Sequence, residues 1–230
     1  MFDIIDIIYF INLDQRPDRL KEIIGELAKI NAPQEKIIRV AALKHKSGAY
    51  GCSLSHIATV ENFIASGKNR CLILEDDFEW TVTKEEIFES LSYIFGKYPK
   101  IDFLAISGLV HNVIPTSDER IKKPIHLTTT SGYIVTRKFA PLLLENFKQG
   151  AALLLKSLSE SDKIPQEYYL DEYWVNLQEK HDFFIPTKML GRQRLSYSDI
   201  TNISSLTISN ILVRHENLSI DYLRTQYKEF

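Results

Sequence analysis

Apolar residues follow two rhythms along this chain. Residues 4–13, IIDIIYFINL, are almost continuously aliphatic or aromatic, which predicts a strand buried on both faces. Over residues 17–30 they thin to Leu20, Ile23, Ile24 and Leu27, the spacing of one helix face, with Pro17 suited to the first turn. IIRVAAL (37–43) predicts a second strand, followed by a polar loop, KHKSGAYG, and a helix opening at Cys52 with Ser53 as a candidate N-cap. CLILEDD (71–77) reads as another fully buried strand, this one ending in acids. Residues 84–98 predict an amphipathic helix with Ile87, Leu91, Ile94 and Phe95 on one face.

Further along, IDFLAISG (101–108) predicts a buried strand, and residues 109–124 show no firm period and read as a long surface loop. Residues 126–136 predict a strand, a glycine turn and a second strand. Helices are expected over 137–148, with 151–162 as an extension or a separate segment, and over 170–181. A short strand is expected within 183–193, and a final helix in LSIDYLRTQYKEF. Strands alternating with helices predict an α/β fold with a largely parallel sheet covered on both faces. Residues 1–200 read as one domain and 201–230 as its helical C-terminal extension.

Composition narrows the function classes. With 44% hydrophobic and 25% charged residues, the 230-residue chain can bury a core. A formal net charge of -2 gives no basic surplus for nucleic acid. The first residues carry Asp3 and Asp6 and no basic leader, so neither a signal peptide nor a membrane span is expected. These features lead us to expect a cytoplasmic protein, with peripheral contact to a membrane-borne acceptor left open. Cys52 and Cys71 read as reduced core residues, and no CxxC or Cys/His spacing suggests a metal.

The chemistry concentrates at the acids closing the third apolar strand. Glu75, Asp76 and Asp77 would repel one another without a counter-charge, and alternation along an extended chain would put Glu75 and Asp77 on one side. Oxygen-only ligands suit Mg²⁺ or Mn²⁺, and the carboxyl end of a strand is where open α/β sheets bind ligands. Arg16 and Arg19, at the junction of the first strand and helix, could face a diphosphate together with the helix N-terminal amides. Ser55 and His56 are adjacent on a helix and diverge by about 100°, which argues against a nucleophile–base pair. Thr130-Ser131-Gly132-Tyr133 reads as a turn that could line an acceptor site. Asp171 and Glu172 open a helix beside Trp174; a carboxylate next to a ring is what a sugar hydroxyl and a sugar face require. QRLSYSD (193–199) is polar and could close over a donor.

In their order, these blocks resemble glycosyltransferase family 25, the lipooligosaccharide glycosyltransferases, which include collagen galactosyltransferase domains. The resemblance rests on Ile11-Asn12-Leu13 with Arg16, Asp18 and Arg19, on Gly51-Cys52-Ser53-Leu54-Ser55-His56, and on Leu74-Glu75-Asp76-Asp77. Ser131-Gly132-Tyr133 and Ser196-Tyr197-Ser198-Asp199-Ile200 fit its later part, and the match spans about residues 7–200. It implies a GT-A-like fold, a nucleotide-diphosphate sugar donor (often UDP-galactose), a divalent metal (Mn²⁺ or Mg²⁺) and inversion at the sugar. Carried onto this chain, it implies nucleotide contacts at Asn12, Arg16 and Arg19, and ribose and metal contacts among Glu75, Asp76 and Asp77, with Asp77 and Glu75 the expected metal ligands. Ser55 and His56 are further donor-contact candidates, His56 alternatively making a structural hydrogen bond. The acidic trio departs from a plain Asp-x-Asp, so the division between metal and ribose stays open. Asp171, with Glu172 second, is the expected general base toward a hydroxyl of a glycan, a lipid-linked acceptor or a protein. Two other readings remain: a catalytically inactive glycan- or nucleotide-binding module of the same fold, and a nucleotidyltransferase, which would place a Gly-rich phosphate loop where DQRPDR stands.

Overall fold

In the computed structural model, the chain divides into two compact units, Met1–Gln193 and Arg194–Phe230. The structure describes residues 2–160 and 165–194. The expected C-terminal helix, Ser196–Ile200 and most of the QRLSYSD segment lie outside the described residues.

The first unit is built on β1 (Ile7–Asn12), β2 (Ile37–Ala41), β3 (Arg70–Glu75), β5 (Phe103–Ala105), β6 (Leu109–Pro115), β7 (Ile121–Thr128), β8 (Gly132–Thr136) and β9 (Phe183–Pro186). They form one sheet in the order β2-β1-β3-β8-β5-β9-β7-β6. β1 runs parallel to β2 and β3, and β5 runs parallel to β9. β8 is antiparallel to both β3 and β5, and β7 to both β9 and β6. Six of the eight strands therefore run one way, with β8 and β7 reversed. A two-stranded ladder pairs β4 (Phe78–Trp80) antiparallel to β10 (Gly191–Gln193).

Helices cover both faces, as the α/β reading expects. Alternate strand residues feed two separate cores, because side chains along a strand point to opposite faces. Ile7, Tyr9, Ile11, Cys71 and Ile73 pack on one side with residues of α2 (Gly48–Ser66) and α4 (Ala140–Glu160). Ile8, Phe10, Leu72 and Leu74 pack on the other with α1 (Pro17–Lys29) and α3 (Lys84–Lys97). Thr83 caps α3 through a reciprocal capping box with Glu86.

Four expectations are corrected. Residues 109–124 hold a β-hairpin, β6–β7, rather than a loop. β6 lies at the sheet edge with Leu109, Val110 and Ile114 exposed, so it shows no inside–outside alternation. The helix over 170–181 is two short ones, α5 (Leu170–Tyr173) and α6 (Val175–Gln178). α2 starts at Gly48, capped by the Ser47 hydroxyl, which accepts from the Tyr50 amide. Ser53 is therefore inside the helix, fully buried, with its hydroxyl donating to the Ala49 carbonyl at 3.0 Å.

Gly51 has a clear packing reason. A Cβ there would sit 2.5 Å from the Leu43 carbonyl oxygen, so glycine lets the first turn of α2 lie directly on the β2–α2 connection. The Ser55 hydroxyl ties the same joint. It donates to the Gly51 carbonyl at 2.7 Å and accepts the Leu43 amide at 2.8 Å.

Candidate functional site

Strand parity decides where the acids go. Cys71 and Ile73 face the α2 side, so Glu75 continues onto that face. There its Oε1 lies 3.3 Å from His56 Nε2 and accepts the Thr130 hydroxyl at 2.6 Å. Leu72 and Leu74 face the α1 side, and Asp76 follows them. Asp76 accepts Arg19 at 3.0 Å and the Asn12 side-chain amide at 2.8 Å. β3 ends at Glu75, and Asp76 and Asp77 form a turn into β4. The expected alternation of Glu75 and Asp77 along an extended chain therefore does not apply. Asp77 shares Arg19 with Asp76 at 3.2 Å and accepts the Gln193 amide at 3.1 Å.

Tight packing holds this turn. Phe78, the first residue after it, is fully buried against Trp80 in an edge-on contact. Gly132 and Gly191 both press on its ring: a Cβ at either would lie 2.7 or 2.3 Å from ring atoms. A larger residue at either glycine would displace the Phe78 ring and with it the acid-bearing turn.

The electrostatics follow from burial. Asp77 is 4% exposed, and burial together with the Glu75 charge pushes its carboxyl up to about 7, against the pull of Arg19. Burial raises Asp76 as well, opposed by Asn12 and Arg19. Glu75, which burial would push up, is held below its ordinary value by His56 and Thr130. Asp77 Oδ1 is buried and has no hydrogen-bond partner among the described residues. A buried, unpaired carboxylate oxygen costs free energy unless something cationic or protic meets it. An open carboxylate oxygen is what a hard divalent cation takes, but Glu75, Asp76 and Asp77 do not bring three donor atoms within 4.8 Å of one another.

Asp171 belongs to the same electrostatic neighbourhood. Burial raises the Cys52 thiol well above its usual value, and the charges of Glu75, Asp171 and Asp77 raise it further. Asp171 itself is pushed up to about 6, chiefly by burial, with Glu172 and Glu75 adding to the rise. The Thr129 amide opposes that rise, donating to Asp171 Oδ2 at 3.0 Å. Thr129 has φ 75°, a left-handed conformation that a β-branched residue adopts only under constraint. Consecutive residues of this strained joint thus hold two carboxylates: the Thr129 amide holds Asp171 and the Thr130 hydroxyl holds Glu75.

Other expected site residues sit differently. Arg16 folds onto Asp18, with guanidinium contacts at 2.8 and 3.0 Å. The Arg16 guanidinium, with a smaller contribution from the amides at the start of α1, holds the Asp18 carboxyl down at about 2. Ser55 is 2% exposed with both hydrogen bonds spent on the α2 joint, so it positions the helix rather than touching a donor. His56 is 1% exposed, held between Glu75 and the Tyr133 hydroxyl, the latter 2.9 Å from Nδ1. Trp174 is fully buried, packs edge-on against Phe103, Tyr133 and Phe183, and donates to the Leu127 carbonyl. It cannot present a face to a sugar. Glu172 pairs with His126 at 3.4 Å.

Arg39 went unnoticed in the sequence. Its Nε donates to Asn12 Oδ1 at 3.1 Å and its guanidinium pairs with Asp14 at 2.5 Å, which orients the Asn12 amide toward Asp76. The signal was a charged residue inside an apolar strand, IIRVA, at the edge of the sheet beside β1.

No family model matches this sequence, and no curated protein matches it. Among solved structures, the mannose-1-phosphate geranyltransferase from Thermus thermophilus is similar over 81% of this chain and 73% of that one, at 10% identity and a TM-score of 0.47. A197 from STIV matches over 77% of this chain and 80% of its own, at 11% identity and a TM-score of 0.43. A glycosyltransferase involved in the glycosylation of the major capsid of PBCV-1 matches over 77% and 79%, at 13% identity and a TM-score of 0.46. At such identities and scores these likenesses carry no argument about activity. Among the described residues, no helix is long and apolar enough to cross a membrane.

Proposed function

We propose that this chain is a GT-A-like glycosyltransferase that moves a hexose from a nucleotide-diphosphate sugar, UDP-linked in our reading, to an acceptor hydroxyl with inversion. The observation that carries this reading is the buried Asp77 carboxylate with one oxygen unpaired, beside Glu75 and Asp76 and across from Arg19. Arg19 pairs with Asp76 and Asp77, the charge of Glu75 lies close to Asp77, and a divalent cation with its diphosphate would suit these buried acids. The motif order in the sequence that resembles family 25 supports the same reading.

In this reading, Asp77 holds a Mg²⁺ or Mn²⁺ ion, and the negative charge of Glu75 lies close by. When bound, such an ion supplies Lewis-acid neutralisation of the leaving diphosphate. Arg19 stands at the same acids and offers its guanidinium to a phosphate oxygen. Asn12 and Asp76, hydrogen-bonded to each other, present polar groups to the nucleoside side of the donor. Asp171 takes the proton of the acceptor hydroxyl as that oxygen attacks the anomeric carbon. The sugar–phosphate bond breaks with its electron pair going to the diphosphate, and no covalent enzyme intermediate is needed. The strained Thr129 joint fixes Asp171 relative to Glu75, so acceptor side and donor side are held by one short segment.

The test is a panel of nucleotide-sugars incubated with the full chain, with Mn²⁺ or with chelator, and scored for donor hydrolysis. Hydrolysis of at least one donor with Mn²⁺, and none with chelator, is expected. Nucleotide binding without turnover of any donor would favour an inactive binding module instead.

A further inference from the structure

Cys52 and His56 stand four residues apart on α2, so they share a helix face. Glu75, at the end of β3, meets that face. One donor atom from each of the three side chains lies within 4.8 Å of the other two. A helical i, i+4 pair needs a third ligand from a distant strand, which a linear motif does not reveal.

We propose that Cys52, His56 and Glu75 form a binding site for a thiophilic divalent cation of the Zn²⁺ class. The donor set is sulfur, imidazole nitrogen and carboxylate oxygen, which suits Zn²⁺ rather than Mg²⁺ or Mn²⁺. Three protein ligands leave a fourth position for water or a bound molecule, the composition typical of an open zinc site.

The surroundings are built as such a site requires. His56 is nearly fully buried, with Tyr133 Oη 2.9 Å from Nδ1. In the tautomer whose Nδ1–H donates to the Tyr133 hydroxyl, Nε2 keeps its lone pair on the Glu75 side, available to a metal in place of a hydrogen bond to Glu75. A metal-ligating histidine normally gives its other N–H to such a fixed acceptor. The ring also stacks on Tyr133 and meets Phe147 edge-on, so it cannot swing away. Glu75 is held in place by the Thr130 hydroxyl. Bond lengths of roughly 2.3 Å to sulfur and 2.0 Å to nitrogen put tetrahedral donors about 3.5 Å apart, so the three side chains need to close by only about an ångström. His56 Nε2 and Glu75 Oε1 are already at 3.3 Å.

This site shares Glu75 with the acidic cluster of the proposed transferase, but its test reads no catalytic activity, so its failure leaves that reading standing. The full chain is stripped with a chelator and titrated with Co²⁺ as a spectroscopic stand-in for Zn²⁺. One equivalent should produce a strong sulfur-to-cobalt charge-transfer band and the intense visible bands of a tetrahedral centre, both removed by added Zn²⁺. Cys52→Ser should lose the charge-transfer band while keeping the far-ultraviolet circular dichroism of the parent. Tyr133→Phe should keep the band but bind about 10–100-fold more weakly, as expected when the partner of a ligating histidine is removed. The chain has two cysteines, so a band that persists in Cys52→Ser would assign the sulfur to Cys71 and overturn the proposal. No charge-transfer band in the parent protein at excess Co²⁺ would overturn it outright.

Discussion

Replacing Asp77 by asparagine is expected to cost on the order of 10³-fold or more in metal-supported transfer, since it removes the carboxylate assigned to the cation. The same change should make the metal-free protein more stable at neutral pH. Asp77 in the folded chain titrates near 7 instead of its ordinary 3.8, because it is buried and sits close to Glu75. The folded state therefore holds this proton more tightly than the unfolded state. Stability from the group is fully present below about pH 4 and is lost as pH rises through about 7. An asparagine of the same shape carries no charge to bury, so it should recover on the order of 4 kcal/mol at pH 8. Urea unfolding of both proteins in chelator, at pH 5 and pH 8, checks this. The parent should lose more stability between the two pH values than the variant. Parallel behaviour would show that Asp77 is not the strained acid described here.

For Asp171→Asn, a 10²–10⁴-fold fall in kcat is expected, with nucleotide affinity unchanged. A general base must be ionised, and Asp171 titrates near 6. In the parent, kcat should fall as pH drops through about 6 and level off above it. The variant's residual rate should lack that step. A parent profile with no inflection near 6, or a variant with normal turnover, would move the base elsewhere.

In the proposed function, activity and the loss of stability come from the same feature. Arg19 is the cation drawn to both Asp76 and Asp77, and these acids sit where a solvated turn would be cheaper. Carboxylates kept buried with raised titration points are common where they bind or react. Thr129 adds backbone strain at the joint between Asp171 and Glu75.

Parts of this architecture were plain in the sequence and parts were not, for physical reasons. β1 and β3 are buried on both faces, so their unbroken apolar runs stood out. α1 and α3 each bury one face, and their spacing was visible for that reason. The β6–β7 hairpin was hidden because its edge strand exposes apolar side chains on both sides. The acidic trio was legible as a cluster. Its three-way division was not, because it depends on β3 stopping at Glu75 and on whether α1 or α2 lies over each side chain. Trp174 looked like a sugar platform beside Asp171, yet two short helices turn it into the core instead. Gly51 and Gly132 were seen as loop or turn glycines; their actual constraint is contact with the Leu43 carbonyl and with Phe78, neither near them in sequence.

The central claim is tested most directly by calorimetric titration of the chelator-treated protein with UDP, run with and without saturating Mn²⁺. Binding should tighten at least tenfold when Mn²⁺ is present, and that gain should vanish in Asp77→Asn. Equal UDP affinity in both conditions, or a metal effect that survives in Asp77→Asn, would contradict the assignment of the buried acids to a cation and its diphosphate.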